Sequence, residues 1–367
     1  MITWHEELPF DFSHPETGRY FTENALFFDI ETTGFSAART TLYMIGCAAR
    51  KNERLIIDQF FAESPAAEAE VLHAFLDYLR SFDTVITYNG IGFDIPYLTA
   101  KCKKYNLPEP FAGFTFVDIY KLISGFRFLL GLPNLKQKTI EKFLGIGRED
   151  LYDGGELIEV YSAYVKAPED GLAALLKQHN YEDVLSMPKL LVLLSYSRVL
   201  SGGFEVLSVE GSQHLACDGT TCRELFLSLA HEAPVPKRVS CHYEDFHLVM
   251  NETQTKLGVR LFTHELKYFF PDYRNYVYLP DEDLAVPKNL ASAVEKERKK
   301  KATAATCYTK KNAIFVPQYN EVQKPAFRLM YKDKKSYFEL SEEFLSSKEQ
   351  QKEYVLHVFA YIGSRKK

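Results

Sequence analysis

The segment ALFFDIETTG, residues 25–34, constrains this chain more than any other. Its first four residues read as an apolar strand, and two carboxylates follow, Asp29 and Glu31, one residue apart. Side chains alternate faces along a strand, so both acids point the same way. Side by side in a low-dielectric setting they repel each other, and each is costly to remove from water. A basic partner, a strand end open to water, or a bound cation would relieve the strain. No Lys or Arg stands between Asn24 and Ala38, so a local partner is absent. Thr32, Thr33 and Gly34 mark a strand end that water can reach. The cation reading requires further acids from elsewhere in the chain.

The flanking sequence sets the fold class. TLYMIGCAA and RLIIDQFFAE follow as strands after short polar breaks, which predicts an antiparallel meander. SPAAEAEVLHAFLDYLR reads as a helix capped by Ser64, with Pro65 at its first position and Val71, Leu72, Phe75, Tyr78 and Leu79 as its apolar stripe. TVITYNG is a fourth strand, GFDIPYLTAKCKKYN a helix with Pro96 in its first turn, and FTFVDIY a fifth strand entering another helix. The pattern predicts an α/β domain with a mixed five-stranded sheet flanked by helices, over residues 22–200, after an arm at residues 1–21. Its last part is helical, and Pro188 is expected to kink or interrupt the segment from Asp170 to Leu200. SGG at 201–203 reads as a hinge. Residues 201–367 alternate like strands and close on a helix, which predicts a second, basic α+β domain.

Length and charge fit this division. A chain of 367 residues is long for one domain. The net charge is −5, but residues 286–367 hold 18 Lys and Arg against 9 Asp and Glu, while residues 1–285 hold 26 against 40. This segregation suggests a polyanion for the tail and cations for the front. Within the tail, Lys296–Lys301, CYTKK and YKDKKSYF mix cations with aromatics, as single-strand binding requires. The alternative is a solvated helix followed by ordinary strands. His214, Cys217, Cys222 and Cys241 invite a zinc reading, although their spacing is irregular. The six cysteines otherwise read as reduced apolar fillers. MITWHEELPFDF lacks the features of a secretory signal, and KLLVLLSYSRVL is short and contains Arg198. The expectation is a soluble, cytoplasmic protein with no membrane contact.

Two further acids complete the cation reading. Asp94 lies in YNGIGFDIPYL, where it is most simply a first-turn helix acid. The Asn89–Gly90 turn can bring it back toward the first strand. Asp183 lies in HNYEDVLSM on a helix, where it is most simply solvated. Together with Asp29 and Glu31 they form a four-carboxylate set suited to a hard divalent cation.

The motifs FDIETTGF, YNGIGFDIPYL and HNYEDVLSM resemble the three exonuclease motifs of the DEDD superfamily, whose domain has the ribonuclease H-like fold. Among its branches the chain looks most like the bacterial YprB-like proteins, with FVDIYKLI, NLKQKTIEKFLGI and GREDLYDGGELIEVY as further matching features. The resemblance covers about residues 22–200. It implies hydrolysis of nucleic-acid phosphodiesters from the 3′ end, on single-stranded or frayed DNA or RNA, with two Mg²⁺ or Mn²⁺ ions. It implies that Asp29, Glu31, Asp94 and Asp183 hold the ions and that Asp29 bridges both.

One feature departs from that pattern. The superfamily places either a His five positions before the last Asp or a Tyr four before it; here the residue four before Asp183 is His179. Residues i and i+4 share a helix face, so His179 is the candidate general base. Binding of phosphate or water at a helix N-terminus is its alternative, and Tyr181 sits on another face. Thr32, Asn89, Phe93, Lys136 and Arg148 are candidate substrate contacts, with Lys138 beside them. Asp118 reads as a helix N-cap. Competing functions are a nucleic-acid-binding module without useful catalysis and a structure-specific endonuclease.

Overall fold

Alternation along ALFFDIET dictates the layering of the N-terminal unit. Leu26, Phe28 and Ile30 enter one apolar layer and leave Phe27, Asp29 and Glu31 for the other face of the same strand. The computed structural model describes residues 1–150, 152, 154–215 and 221–365. The chain divides into two units, Met1–Ser197 with Val235–Lys237, and Arg198–Pro234 with Arg238–Lys367.

The first unit begins with β1 (Ile2–Pro9), α1 (Pro15–Tyr20), β2 (Ala25–Thr32), β3 (Leu42–Lys51), β4 (Arg54–Phe61), α2 (Glu68–Leu79) and β5 (Thr84–Thr87). It continues with α3 (Asp94–Lys104), β6 (Thr115–Asp118), α4 (Ile119–Ser124), α5 (Arg127–Leu130), α6 (Gln137–Leu144), α7 (Gly154–Lys166), α8 (Asp170–Leu190) and α9 (Leu194–Leu200), the last crossing the unit boundary. The sheet order is β1-β4-β3-β2-β5-β6. β1 through β4, β3 and β2 pair antiparallel, and β2, β5 and β6 pair parallel. It has six strands where the sequence predicts five. The difference is the arm, whose Ile2–Pro9 pairs residue for residue with β4 and satisfies backbone groups an edge strand would otherwise leave exposed.

One face of the sheet packs Val71, Leu72, Phe75 and Leu79 of α2 and Tyr97 and Leu98 of α3. The other packs Leu157, Tyr161 and Tyr164 of α7 and Leu176 of α8 against Tyr43, Met44 and Phe61. Ser64 stands at the N-cap position of a short 3₁₀ turn, Pro65–Ala67, that leads into α2, but its side chain makes no capping bond there. Pro188 lies inside α8, and the helix ends two residues later, at Leu190, passing through a 3₁₀ turn at Leu191–Leu193.

In the second unit, β7 (Phe204–Leu215), β8 (Thr221–His231), β9 (Val239–Tyr243), β10 (Phe246–Met250) and β11 (Gln254–Arg260) form a sheet of order β7-β8-β11-β10-β9. β12 (Phe262–Phe269), β13 (Tyr276–Leu279), β14 (Leu284–Pro287), β15 (Lys300–Lys301), β16 (Tyr308–Gln318) and β17 (Ser336–Glu339) build two three-stranded sheets, β12-β16-β17 and β14-β13-β15. α10 (Glu342–Ser346) and α11 (Lys348–Arg365) close the chain.

Two sequence readings change here. The proposed zinc set is not brought together. His214 faces Cys222 across the β7–β8 ladder, but Cys241 lies on β9, three strand spacings from β8 and so roughly 14 Å away. Cys217 falls outside the described residues. The basic run is not a helix either. Lys296–Arg298 is a 3₁₀ turn, and Lys300–Lys301 pairs with β13. Arg298 bonds Glu282 at 2.9 Å, and the Lys299 ammonium donates to the carbonyls of Ala291 and Val294 at 2.8 and 2.7 Å.

Candidate active site

The site is built around the end of β2. β5 pairs only with Ala25–Phe27, so the C-terminal half of β2 runs past its parallel neighbour. On the other side β3 stays paired, with Gly46 opposite Asp29 and Met44 opposite Glu31. The ladder shifts register between Glu31 and Thr32, a bulge that ends the pairing at the site. Gly46 is required by close approach: a Cβ there would stand 2.1 Å from Asn180 Oδ1 on α8. The missing side chain lets α8 lie against the acidic face of β2. The Asn180 amide then donates to Asp29 at 3.4 Å, while Gln59 of β4 donates to its carbonyl oxygen at 3.0 Å.

The loop after β5 supplies Asp94. Asn89 has φ +67°, a left-handed conformation that Asn tolerates. The Asp118 carboxylate accepts from the amides of Asn89 and Ile91, both at 3.1 Å, and caps α4 by accepting from Lys121 at 3.0 Å. Asp118 is thus the N-cap the sequence suggested and also the clamp on the loop that positions Asp94. Asp94 is the first residue of α3, is buried, and accepts from the Ile30 amide at 3.3 Å. That bond ties α3 to β2 between its two acids.

α8 brings the third group. His179 lies in the third turn of α8, so the helix-N-terminus alternative does not apply. Its Nε2 is 3.7 Å from Glu31 and 3.4 Å from Asp183, one helical turn onward. Its Nδ1 is 2.7 Å from Asp150, whose side chain is almost wholly buried. Nδ1 facing ionised Asp150 is the donor of that bond, which leaves Nε2 directed at Glu31 and Asp183. Burial opposes ionisation of Asp150, but bonds from Lys138 and the Tyr152 amide, with His179 alongside, bring its pKa down to about 2. Tyr181 is directed elsewhere, toward Glu6 of β1.

A basic partner does exist, supplied from far away in sequence. Arg148 donates to Asp183 at 2.6 Å and to Glu141 at 3.1 Å, and it also lies 3.3 Å from Asp150 and 3.4 Å from Glu182. One guanidinium cannot neutralise the cluster. Burial, then Asp94, Glu31 and Asp183, push the Asp29 carboxyl well above its ordinary range. Burial, then Asp183 and Asp94, do the same to Glu31. Burial raises Asp94 to about 7 against hydrogen bonds that lower it, and raises Asp183 although His179 and Arg148 oppose it. The donor set fits a hard divalent cation: one ligand atom from each of Glu31, His179 and Asp183 lies within 4.8 Å of the other two, and carboxylate oxygens predominate.

Residues 26–195 match the RNase_H_2 model of the RNase_H superfamily. That match spans just under half of the chain. The chain is 29% identical over 194 residues to the uncharacterised protein YprB of Bacillus subtilis (strain 168), covering 52% of this chain and 46% of that one. Among solved structures, a family B DNA polymerase from Pyrobaculum calidifontis aligns at 20% identity and TM-score 0.38, over 48% of this chain and 24% of the polymerase. E. coli Exonuclease I in complex with an oligonucleotide aligns at 14% identity and TM-score 0.29, over 56% and 55%. The chain therefore spans about half the length of the Bacillus relative and less of the polymerase.

Within this RNase H-like domain the expected substrate contacts divide. Thr32 bonds the Gly34 carbonyl at the strand end, and Phe93 sits just before Asp94, edge-on to Phe35, which is 92% exposed. Asn89 forms the turn, and Lys136 is exposed at the start of α6. Arg148 and Lys138 are candidate phosphate contacts from the sequence. The structure corrects this for Arg148, whose guanidinium is enclosed by Glu141, Asp150, Glu182 and Asp183, while Lys138 stays exposed and bonds Asp150 at 2.9 Å. Asp150, Asn180 and Gly46 belong to the site and were not singled out from the sequence. Asn180 adjoins His179 in the same motif, and Asp150 lies within GREDLYDGG, so position within quoted motifs was the available signal.

Proposed function

We propose that this chain is a metal-dependent nuclease that hydrolyses nucleic-acid phosphodiesters from the 3′ end, on single-stranded or frayed substrates. One observation carries the reading: Glu31, His179 and Asp183 converge within 4.8 Å, with Asp94 and Asp183 raising the carboxyls of Asp29 and Glu31, in a stretch that matches the RNase_H superfamily. Such a concentration of unneutralised carboxylates costs stability unless a cation shares it. Asp29, Glu31, Asp94 and Asp183 would hold Mg²⁺ or Mn²⁺, two ions in the full reading. When bound, such ions lower the pKa of water and stabilise charge on the attacking and leaving oxygens.

The chain's own residues do the rest. Asp150 holds the His179 ring with Nε2 toward the site, and Nε2 accepts the proton of the attacking water. Asn180 steadies Asp29 through its amide. Asp118 fixes the loop, and hence Asp94, before substrate arrives. Thr32, Asn89 and Phe93 border the acids and are the proposed contacts to the terminal nucleotides, with Lys136 as a phosphate contact.

The Arg148–Asp183 bond favours a second reading, a binding module without useful catalysis, because an internal cation already occupies one Asp183 oxygen. One experiment separates the two. A 5′-labelled single strand, as DNA and as RNA, is incubated with Mg²⁺, Mn²⁺ or EDTA, beside the Asp29→Ala/Asp183→Ala variant. A metal-dependent ladder shortening from the 3′ end and lost in the variant is expected. Binding with no cleavage under either metal overturns the enzyme reading, and cleavage of an internally labelled circular strand run alongside replaces the 3′-end reading with an endonuclease.

A further inference from the structure

The second unit holds a pocket of about 320 Å³ at the corner where β11 turns into β12. Arg223, Arg260 and Lys335 line it, with Asp245 as its one acid among the described residues and Phe262 and Tyr337 as aromatics. Lys335 and Asp245 are paired with each other. Arg223 bonds only neutral groups, Gln213 at 3.3 Å and Thr263 at 3.5 Å. Neither Arg223 nor Arg260 has a carboxylate partner among the described residues, although Glu224 lies opposite Arg260 in the ladder and pairs instead with His214 at 3.8 Å. This contrasts with Arg298 and Arg328 of the same unit, which are paired with acids. Phe262 stacks on Tyr337 with ring centroids 5.1 Å apart and on His264 at 5.6 Å.

We propose that this pocket binds one nucleotide of a single-stranded nucleic acid, phosphate on Arg223 and Arg260 and base against Phe262. The proposal rests on the preceding reading only for the class of ligand. A guanidinium fork without an internal acid is suited to a phosphate, which it binds through two parallel donors. Phe262 is half-buried beside it, with Tyr337 buried behind, so Phe262 is the ring a base meets, and only an unpaired strand offers its bases for such contact. The volume lies near the lower end for ligand pockets, which matches one nucleotide rather than a duplex. Lys335 and Tyr337 come from YKDKKSYF, so part of the tail's cation–aromatic signal is realised here and not in the Lys296–Lys301 run.

The test measures binding without cleavage. The full chain in EDTA is titrated into 5′-fluorescein-labelled twelve-nucleotide single strands, DNA and RNA, and into the corresponding duplex, with anisotropy read at several salt concentrations. Arg223→Gln/Arg260→Gln is expected to weaken single-strand binding at least about tenfold and to flatten the logarithmic salt dependence by about 1.4, the value for two lost phosphate contacts. Arg223→Lys/Arg260→Lys keeps the charge and is expected to retain the salt slope, which separates lost contacts from lost folding. Phe262→Leu is expected to weaken the single strand at least about fivefold and leave the duplex unchanged. Unchanged affinity and slope in the Gln pair, with an unaltered thermal transition, overturn the site. Equal weakening of single strand and duplex by Phe262→Leu overturns the stacking role. Because EDTA removes the metal, this assay reads binding apart from cleavage, so failure of this site and failure of the enzyme reading, tested with Mg²⁺ or Mn²⁺ above, are distinguished.

Discussion

Replacing Asp94 with Asn tests whether the acidic cluster is built for a cation. Asp94 is buried, and its pKa is raised from 3.8 to about 7, chiefly by desolvation. The folded state therefore keeps a proton that the unfolded chain releases between those two values. Its stabilising effect is fully present below 3.8 and is lost as the pH rises through about 7. At about 1.4 kcal/mol for each pH unit, the metal-free protein loses on the order of 4 kcal/mol by pH 8 at this group. Asp29, Glu31 and Asp183 are raised as well and act in the same direction. Asn is neutral throughout, and its Oδ1 can still accept from the Ile30 amide. In EDTA at pH 8, Asp94→Asn is expected to be the more stable protein, and at pH 4 to match the parent. For a unit of this size the difference corresponds to a thermal midpoint higher by roughly 8–16 °C. Added Mg²⁺ should stabilise the parent more than the variant, and more at pH 8 than at pH 5, because only ionised carboxylates bind it. Differential scanning calorimetry with and without Mg²⁺ reads both effects. A variant no more stable than the parent at pH 8 in EDTA would refute the argument, since the carboxyl would then carry its charge at no cost.

Three further predictions address the supporting residues. Asp150→Asn keeps the shape beside His179 but removes the charge that orients it, and should lower kcat about 10–100-fold with KM within twofold in steady-state cleavage kinetics. Gly46→Ala places a methyl against Asn180 and should cost about 1–3 kcal/mol in urea unfolding, with part recovered by adding Asn180→Ala. Lys101 is fully buried and lies 2.5 Å from Glu68, which also accepts from the Leu42 amide and the Tyr105 hydroxyl, so Lys101→Met should cost about 3–5 kcal/mol. Lys101→Met/Glu68→Gln should restore much of that, because it removes the stranded charge as well.

Sequence alone determined what local periodicity and residue chemistry can express. Strand alternation put Asp29 and Glu31 on one face, the Asn89–Gly90 turn pointed Asp94 back toward them, and helical spacing put His179 and Asp183 on one face of α8. These are short-range geometric rules, and the apolar stripes fixed which surfaces faced the cores. The arm's place in the sheet was not legible, because edge pairing depends on a partner strand far along the chain. Nor was the fate of the charges. Arg148 and Lys138 read as substrate contacts until folding carried the loop after α6 against α8, where Arg148 meets Asp183 and Lys138, still exposed, meets Asp150. Asn180 reaches Asp29 across 151 residues only because Gly46 leaves room for the helix. Which acids a cation neutralises, and which nitrogen of His179 faces the site, are settled by contacts between segments remote in sequence. Their energies depend on burial and distance, and tertiary packing alone sets both.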